Sequence, residues 1–251
     1  MKHGKIYCAG TTSAIKYAKQ QFIHMGIPVS DTPDWDTKHL LLDVPSFRDG
    51  FLRCGGSLDT LLSSFPNDIT VWGGNLDHPS LDGSHTVDLL KDERYLAENA
   101  AITAHCALML AAPLLHKTLE QAPTLIIGWG RIGKCLGQKL KAIGNDVIIA
   151  TRNRSHQAAL HSLGYRSIDS TEIPSVLPEM QLIFNTVPAP VMSSKDTHRC
   201  NGCILMDLAS QRGIEGDNVI WARGLPGLHA PESSGKLIAE TIIRLLKEAD
   251  E

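Results

Sequence analysis

Residues 124–154, TLIIGWGRIGKCLGQKLKAIGNDVIIATRNR, read as one strand–turn–helix–strand unit. Residues 124–127 are a short, apolar, β-rich run, and Gly128, Gly130 and Gly133 then supply G-x-G-x-x-G where the strand must become a helix. In such a turn the first glycine permits the tight bend, the second lets the backbone approach a pyrophosphate, and the third lets helix and sheet lie close. The unpaired N–H groups at the helix start, helped by the helix dipole, hold the anion. Three glycines alone are weak evidence; the strand before them and the helix and strand after them supply the context that the motif requires. Arg131 and Ile132, inside the motif, join the glycines as expected cofactor contacts.

The second strand, 146–150, bears on which dinucleotide is held. NAD binders place Asp or Glu at its end, about 20 residues beyond the glycines, to take the ribose hydroxyls. Here the stretch is Thr151, Arg152, Asn153, Arg154 and Ser155, without a carboxylate. Two guanidiniums beside small polar side chains suit a ribose 2′-phosphate, because arginine pairs charge-assisted hydrogen bonds to phosphate. The bland alternative is a solvated loop. The reading favours NADP.

Bulk properties fit an enzyme-sized soluble chain. Its 251 residues suffice for one large or two moderate cores, and with 43% hydrophobic residues and a net charge of −3 nothing points to nucleic acid or a membrane surface. No apolar run approaches the roughly 20 residues that span a bilayer. The start, MKHGKIYCAG, enters a strand directly and lacks the apolar segment of a signal peptide. Six cysteines do not make a disulfide scaffold in this length, so reduced thiols and a cytoplasmic location are expected.

Short apolar runs alternating with helical stretches imply an α/β protein with mostly parallel sheets. The expected fold class is a Rossmann dinucleotide-binding domain plus a smaller flavodoxin- or Rossmann-like N-terminal α/β domain, joined by a long helix. The expected boundaries are 1–92 for the N-terminal, substrate-side domain, 93–120 for the connecting helix and 121–231 for the NADP-binding domain. Residues 232–251 should be a C-terminal helix packing back on the first domain. In the N-terminal part, strands are expected at 5–9, 27–29, 39–44 and 69–72, with helices at 12–24 and 58–64. Gly10 with Thr11, Thr12 and Ser13 looks like half of a phosphate loop, although tight packing is the commoner reason for one such glycine. Pro113 should kink or divide the Ala- and Leu-rich helix that starts at 93. Further strands are expected at 182–186, 203–207 and 219–222, and residues 235–248 carry apolar positions on one helical face.

Three blocks resemble the NADP-dependent A-subunit family of dipicolinate synthases: residues 126–155, IIGWGRIGKCLGQKLKAIGNDVIIATRNRS; IFNTVPAPVM with LMDLAS; and GLPGLHAPESSGKLIAETI. The architecture also resembles D-2-hydroxyacid dehydrogenases. The resemblance implies oxidation of a dihydrodipicolinate-type cyclic dicarboxylate to its aromatic form, with NADP accepting the hydride. It also implies a partner, a flavoprotein-like second subunit. It covers the second half of the chain well and the first ninety residues only in outline. Two departures fall where substrate is expected. The family's P-T-x-E-G stretch is Ile102-Thr103-Ala104-His105-Cys106 here, with His105 at the glutamate position. The family's Arg-Pro-Gly-Gly after the LAS element is Gln211-Arg212-Gly213-Ile214, which displaces the arginine by one residue. These put the substrate, rather than the cofactor, in question.

Residues 185–188, Asn-Thr-Val-Pro, follow a strand and so lie at the carboxyl edge of the sheet, where open α/β folds bind ligands. Thr186, Val187 and Pro188 should border the nicotinamide ribose, and Asp207, Ala209 and Ser210 the ring, although Asp207 could equally cap a turn. Arg212 is the expected catalytic-site carboxylate clamp, since arginine fixes such an anion in a bidentate way. Gly227, in the Gly224-Leu225-Pro226-Gly227 turn, should face the nicotinamide. His229 and His105 are the candidate acid–base groups, because imidazole titrates near neutrality; His116 fits a polar surface or seam. Cys200-x-x-Cys203 with His198 nearby lacks the four ligands of a structural zinc, so no metal is expected and Cys203 reads as a small hydrophobe opening a strand.

The leading reading is an NADP-dependent oxidoreductase acting on a small carboxylate-bearing substrate between two α/β domains. A D-2-hydroxyacid dehydrogenase-like enzyme is the second reading, although Glu232 near His229 is the nearest approach to that group's acid–base set. The third is a non-catalytic NADP(H)-binding regulatory subunit. Exposed apolar residues on the long helix would suit a homo-oligomer.

Overall fold

A computed structural model describes residues 4–250. The chain forms two compact units, 4–99 with 226–250 and 100–225. The division cuts the long helix at Asn99/Ala100 instead of leaving it as a separate connector, and the second boundary falls at Leu225/Pro226 rather than at 231/232.

The first unit is built on strands β1 (Lys5–Cys8), β2 (Val29–Ser30), β3 (Thr37–Leu41), β6 (Thr70–Gly73) and β7 (His85–Asp88), all parallel in the order β2-β1-β3-β6-β7. Leu40, Leu41 and Leu42 are buried in succession, as expected of a strand covered on both faces. Helix α1 (Ser13–His24) turns Ala14, Ile15, Ala18 and Phe22 inward and stops at Gly26, whose φ of +72° ends the helix. A two-stranded antiparallel hairpin, β4 (Phe47–Arg48) with β5 (Phe51–Leu52), and the short helix α2 (Leu58–Leu62) follow β3. Neither the hairpin nor β7 was legible in the sequence pattern: two-residue strands and the polar run His85–Asp88 carry no periodicity. The half phosphate loop at Gly10 is closed from within. The Thr11 and Thr12 N–H groups and the Thr12 hydroxyl all donate to the buried Asp43 carboxylate, at 2.7–3.2 Å.

Helix α3 (Glu93–Ala111) starts on Asp92, which accepts from the Tyr95 N–H at 2.7 Å. It ends where Pro113 enters a 3₁₀ turn at Ala112–Leu114, lacking the N–H that would continue the ladder.

In the second unit, β8 (Thr124–Ile127), β9 (Val147–Ala150), β10 (Arg166–Ile168), β11 (Leu182–Asn185), β12 (Ile204–Asp207) and β13 (Val219–Trp221) make a parallel sheet in the order β10-β9-β8-β11-β12-β13. The chain reverses its direction of growth at β8, the topological switch point of a doubly wound fold. Helices α4 (Arg131–Ala142), α5 (Arg154–Ser162), α6 (Ile173–Val176) and α7 (Ser194–Thr197) connect these strands. Every residue of β8, β9 and β11 is buried. β10, short and half exposed, was not expected from the sequence.

The chain then leaves through α8 (Leu225–His229) and α9 (Pro231–Asp250). Helix α9 lies on α1 with Gly235 at the closest approach: a Cβ there would stand 2.3 Å from the Ala14 carbonyl oxygen and 2.7 Å from the Ala18 nitrogen. Arg244 on α9 donates to Asp92 at 2.7 Å, tying the last helix to the start of α3. Burial works against the Asp92 charge, but the Tyr95 N–H and the Arg244 guanidinium hold its pKa below the ordinary value. Among the described residues no helix is long and apolar enough to cross a membrane.

Candidate nucleotide-binding site

The three glycines do three different things. Gly128 adopts φ +101°, and a Cβ on it would strike the Thr186 hydroxyl at 2.5 Å and Val187 at 2.8 Å. Gly133 is pressed on the turn itself: its Cβ would lie 2.3 Å from the Gly128 carbonyl oxygen. Gly130 caps α4 with an extended backbone, and a Cβ there would meet nothing within 4 Å. Gly130 has no side chain with which to cap α4, and helix starts of this kind suit an anion. These features fit a pyrophosphate seated against the bare turn. Ile132 is half-buried and Arg131 exposed at the first position of α4. Trp129, between the glycines, is buried against Gly137 and edge-on to Tyr165 at 5.3 Å, which braces the turn from behind.

At the end of β9, Arg152 and Arg154 are both exposed, whereas Thr151 is buried. The Thr151 hydroxyl accepts from the Asn153 N–H at 3.3 Å, and the Asn153 side chain accepts from the Ser155 and His156 N–H groups at 2.9 and 3.2 Å. Thr151 and Asn153 therefore shape the turn and start α5. These bonds fix the turn that carries Arg152 and Arg154. One carboxylate near these arginines was missed. Asp169, just past β10, accepts from the Thr171 N–H and hydroxyl and weakly from Gln157 at 3.4 Å. Those bonds, Thr171 first, and the charge of Arg154 keep its pKa below the ordinary value. The signal was absent because Asp169 reaches this edge through strand pairing, not through proximity in sequence to β9.

On the other side of the switch point, Thr186 donates to the Ile127 carbonyl at 2.9 Å, fixing the loop against Gly128. Val187 is half-buried and Pro188 exposed. Asp207 is fully buried and accepts four hydrogen bonds: Asn185 Nδ2 at 3.0 Å, Ala209 N at 3.0 Å, Gly213 N at 2.7 Å and Ile214 N at 3.0 Å. This is the turn-capping alternative that its place at the end of β12 left open. Its carboxylate knits the loops after β11 and β12, and buried Ala209 serves the same turn through its N–H. Losing Asp207 would strand buried N–H groups, at about 1–3 kcal/mol each. Gly213 is required here, because its Cβ would stand 2.4 Å from the Ala189 oxygen and 2.6 Å from Asn185 Nδ2.

Arg212 follows this knot. Its guanidinium donates to the Ile214 carbonyl at 3.1 Å and to that of Gly216, two of the five N–H groups it carries. Its side chain borders an open depression of about 280 Å³ formed with Pro190, Gly213, Ile214, Glu215, Gly216 and Asp217. Asn185 was legible only as part of a loop; its Oδ1 accepts from Val187 N and its Nδ2 also donates to the Val187 carbonyl, so it sets that loop's bend.

His105 lies exposed on α3 between buried Ala104 and Cys106 in the second unit, as does exposed His116 beyond the helix. Gly227 and exposed His229 lie in the short α8, with Glu232 exposed on α9, and belong to the first unit. Cys200 and Cys203 close a turn in which the Cys203 N–H donates to the Cys200 carbonyl at 3.1 Å and Gly202 takes φ +73°. Both thiols are buried in the core of the second unit, and burial pushes Cys203 up to about 12. They pack; neither is poised as a thiolate.

The sequence profile for the D-isomer specific 2-hydroxyacid dehydrogenase NAD-binding domain matches residues 110–199. That stretch holds the glycine turn, the arginines after β9 and residues 185–188, and stops before Asp207 and Arg212. The dipicolinate synthase A-subunit of Bacillus subtilis (strain 168) is 24% identical over 171 residues, covering 64% of this chain and 58% of that protein. The chain is similar to a dipicolinate synthase A-subunit over part of its length. The match thus spans somewhat over half the length of the curated relative. The crystal structure of the dipicolinate synthase A-subunit from Bacillus halodurans superposes with a TM-score of 0.84 at 18% identity, covering 97% of each chain. That of the Bacillus subtilis protein gives 0.80 at 18% identity, covering 98% of this chain and 97% of the other. The second unit has the fold of a nicotinamide-dinucleotide-binding domain of the dehydrogenase type.

Proposed function

We propose that this protein is an NADP-dependent oxidoreductase that takes a hydride from a small carboxylate-bearing substrate, a cyclic acid of the dihydrodipicolinate kind being the leading candidate. The observation that carries the reading is the empty space over Gly130 beside the uncapped start of α4, with Arg152 and Arg154 exposed at the end of the neighbouring strand. NADP, when bound, supplies the hydride acceptor. The α4 N–H groups and Gly130 would hold the pyrophosphate, and the two arginines the 2′-phosphate. Arg212 keeps guanidinium donors beyond those given to Ile214 and Gly216, and these would fix the substrate carboxylate. The proton released as the hydride leaves would pass to a histidine, His105 or His229.

Cofactor titration tests this. NADPH should bind more tightly than NADH, and Arg152→Asp with Arg154→Asp should weaken NADPH selectively. Equal binding of the two nucleotides by the parent chain would remove the arginines from the site.

A non-catalytic NADP(H)-binding subunit is the second reading, favoured by the engagement of Arg212 with its own loop and by the relative's being one component of a synthase. Turnover measured with and without a second, flavoprotein-like chain separates the two. Exposed Met109 and Leu114 on the long helix and its following turn suit a homo-oligomeric face.

A further inference from the structure

The edge of the second unit that carries Arg152 and Arg154 is built by two strands, and the outer one brings a carboxylate. Strand β10 pairs with β9 in parallel, with Ile168 level with Ala150, so Asp169 and Thr151 leave the sheet side by side at its carboxyl edge. The Thr151 N–H donates to the Ile168 carbonyl at 3.1 Å and keeps that alignment beyond the strands. All of these residues lie inside one compact unit. Asp169 stands one strand farther out than the position where NAD binders keep their ribose-binding carboxylate.

The Asp169 carboxylate is held in one orientation. It caps the 3₁₀ turn Ser170–Glu172. Its Oδ1 accepts from the Thr171 N–H at 3.0 Å and from the Thr171 hydroxyl at 2.8 Å, while the Glu172 carboxylate accepts from the Asp169 N–H at 2.8 Å. Oδ2 is left facing α5. There Gln157 Nε2 donates to it at a long 3.4 Å and to the Thr151 carbonyl at a closer 2.7 Å. Arg154 is the first residue of α5, and Gln157 follows it by three positions, so the two share a face of the helix. The Arg154 guanidinium therefore starts from the side of α5 that looks toward Asp169. The Thr171 bonds hold the Asp169 carboxyl below its ordinary pKa, and the charge of Arg154 adds to them.

A charge fixed at this place acts unequally on the two dinucleotides. A phosphate monoester carries about 1.5 to 2 negative charges near neutrality, whereas a ribose hydroxyl carries none. The carboxylate repels the phosphate and competes with it for Arg154, but it leaves the hydroxyl form untouched. We infer that Asp169 is a specificity-determining residue of the nucleotide site, which narrows the preference for a 2′-phosphate that Arg152 and Arg154 create; this role rests on the functional reading above.

The experiment is calorimetric titration of the full chain at low ionic strength with NADPH and NADH. The fragments 2′,5′-ADP and 5′-AMP, which differ only by the 2′-phosphate, are titrated alongside. Asp169→Asn keeps an oxygen for the Thr171 N–H, and asparagine caps as well as aspartate, so the turn stays in place. Asp169→Ser is a second uncharged cap. Losing one unit charge about 7 Å from a phosphate dianion in water is a change of about fivefold, so both variants should bind NADPH and 2′,5′-ADP about fivefold more tightly. NADH and 5′-AMP, with no charge at that position, should change by less than about twofold. The gain should fade at about 1 M salt, where the Debye length is about 3 Å; loss of the turn alone would not show this dependence. A parent that prefers NADPH while both variants bind it unchanged, or variants that tighten NADPH and NADH alike, overturns the role of Asp169 and spares the functional reading. A parent that binds NADPH no better than NADH, and 2′,5′-ADP no better than 5′-AMP, sinks that reading and the role of Asp169 with it.

Discussion

Gly130 and Gly133 look alike in the sequence and are opposite in the structure. A methyl on Gly133 meets a backbone oxygen that cannot yield, so Gly133→Ala should destabilise the second unit by about 1–3 kcal/mol and weaken nucleotide binding with it. A methyl on Gly130 meets nothing in the protein, and its extended backbone suits alanine. Gly130→Ala should therefore change stability by no more than about 1 kcal/mol, through the helix cap alone, yet weaken NADPH at least about tenfold by entering the pyrophosphate's space. Urea unfolding and NADPH titration on both variants read this out; Gly130→Ala binding as tightly as the parent would refute the seat. The motif was legible because turn sterics are local. Which of its two readings Asp207 takes was not, nor that Asn153 caps α5, because a polar side chain that could touch a ligand and one that already accepts backbone N–H bonds have the same letter. Arg212 belongs with them: its place after β12 was readable, its bonds to Ile214 and Gly216 were not.

Among elements, the long and periodic ones were readable and the short ones were not. Helices α1, α3, α4 and α9 and strands β8, β9, β11 and β12 have enough apolar positions to declare a period. Strands β7 and β10 and the β4–β5 hairpin owe their existence to neighbours that offer a ladder, which no local pattern reports. The packing of α9 on α1 carries its own test. Glycine is a poor helix former, and by propensity alone Gly235→Ala would gain about 1 kcal/mol. The contact decides otherwise: the new Cβ would press on the Ala14 oxygen and the Ala18 nitrogen, both backbone atoms. Overpacking of this kind costs about 1–3 kcal/mol, so the variant should come out less stable, by about 1 kcal/mol or more. Chemical unfolding followed through buried Trp72 measures it, and a stabilised variant would contradict this packing.

At the scale of the molecule, binding to the native state adds stability by mass action. NADPH at about 100 times its Kd should add about 2.7 kcal/mol to the unit that binds it. Hydrogen exchange should then slow in residues 124–133 and 150–155 of the second unit, and no slowing in either segment would exclude the nucleotide from this edge. The sequence by itself determined that the chain holds α/β layers with parallel strands and that one strand–helix turn is shaped for a pyrophosphate, because strand burial, helical period and glycine sterics act within a few residues. Only the tertiary structure decided that Asp43 fills the Gly10 loop, that Asp169 stands near the arginines, and that Asp207 ties two loops together. Those outcomes depend on which buried donor meets which acceptor across strands far apart in the chain, and that pairing exists only once the sheets have formed.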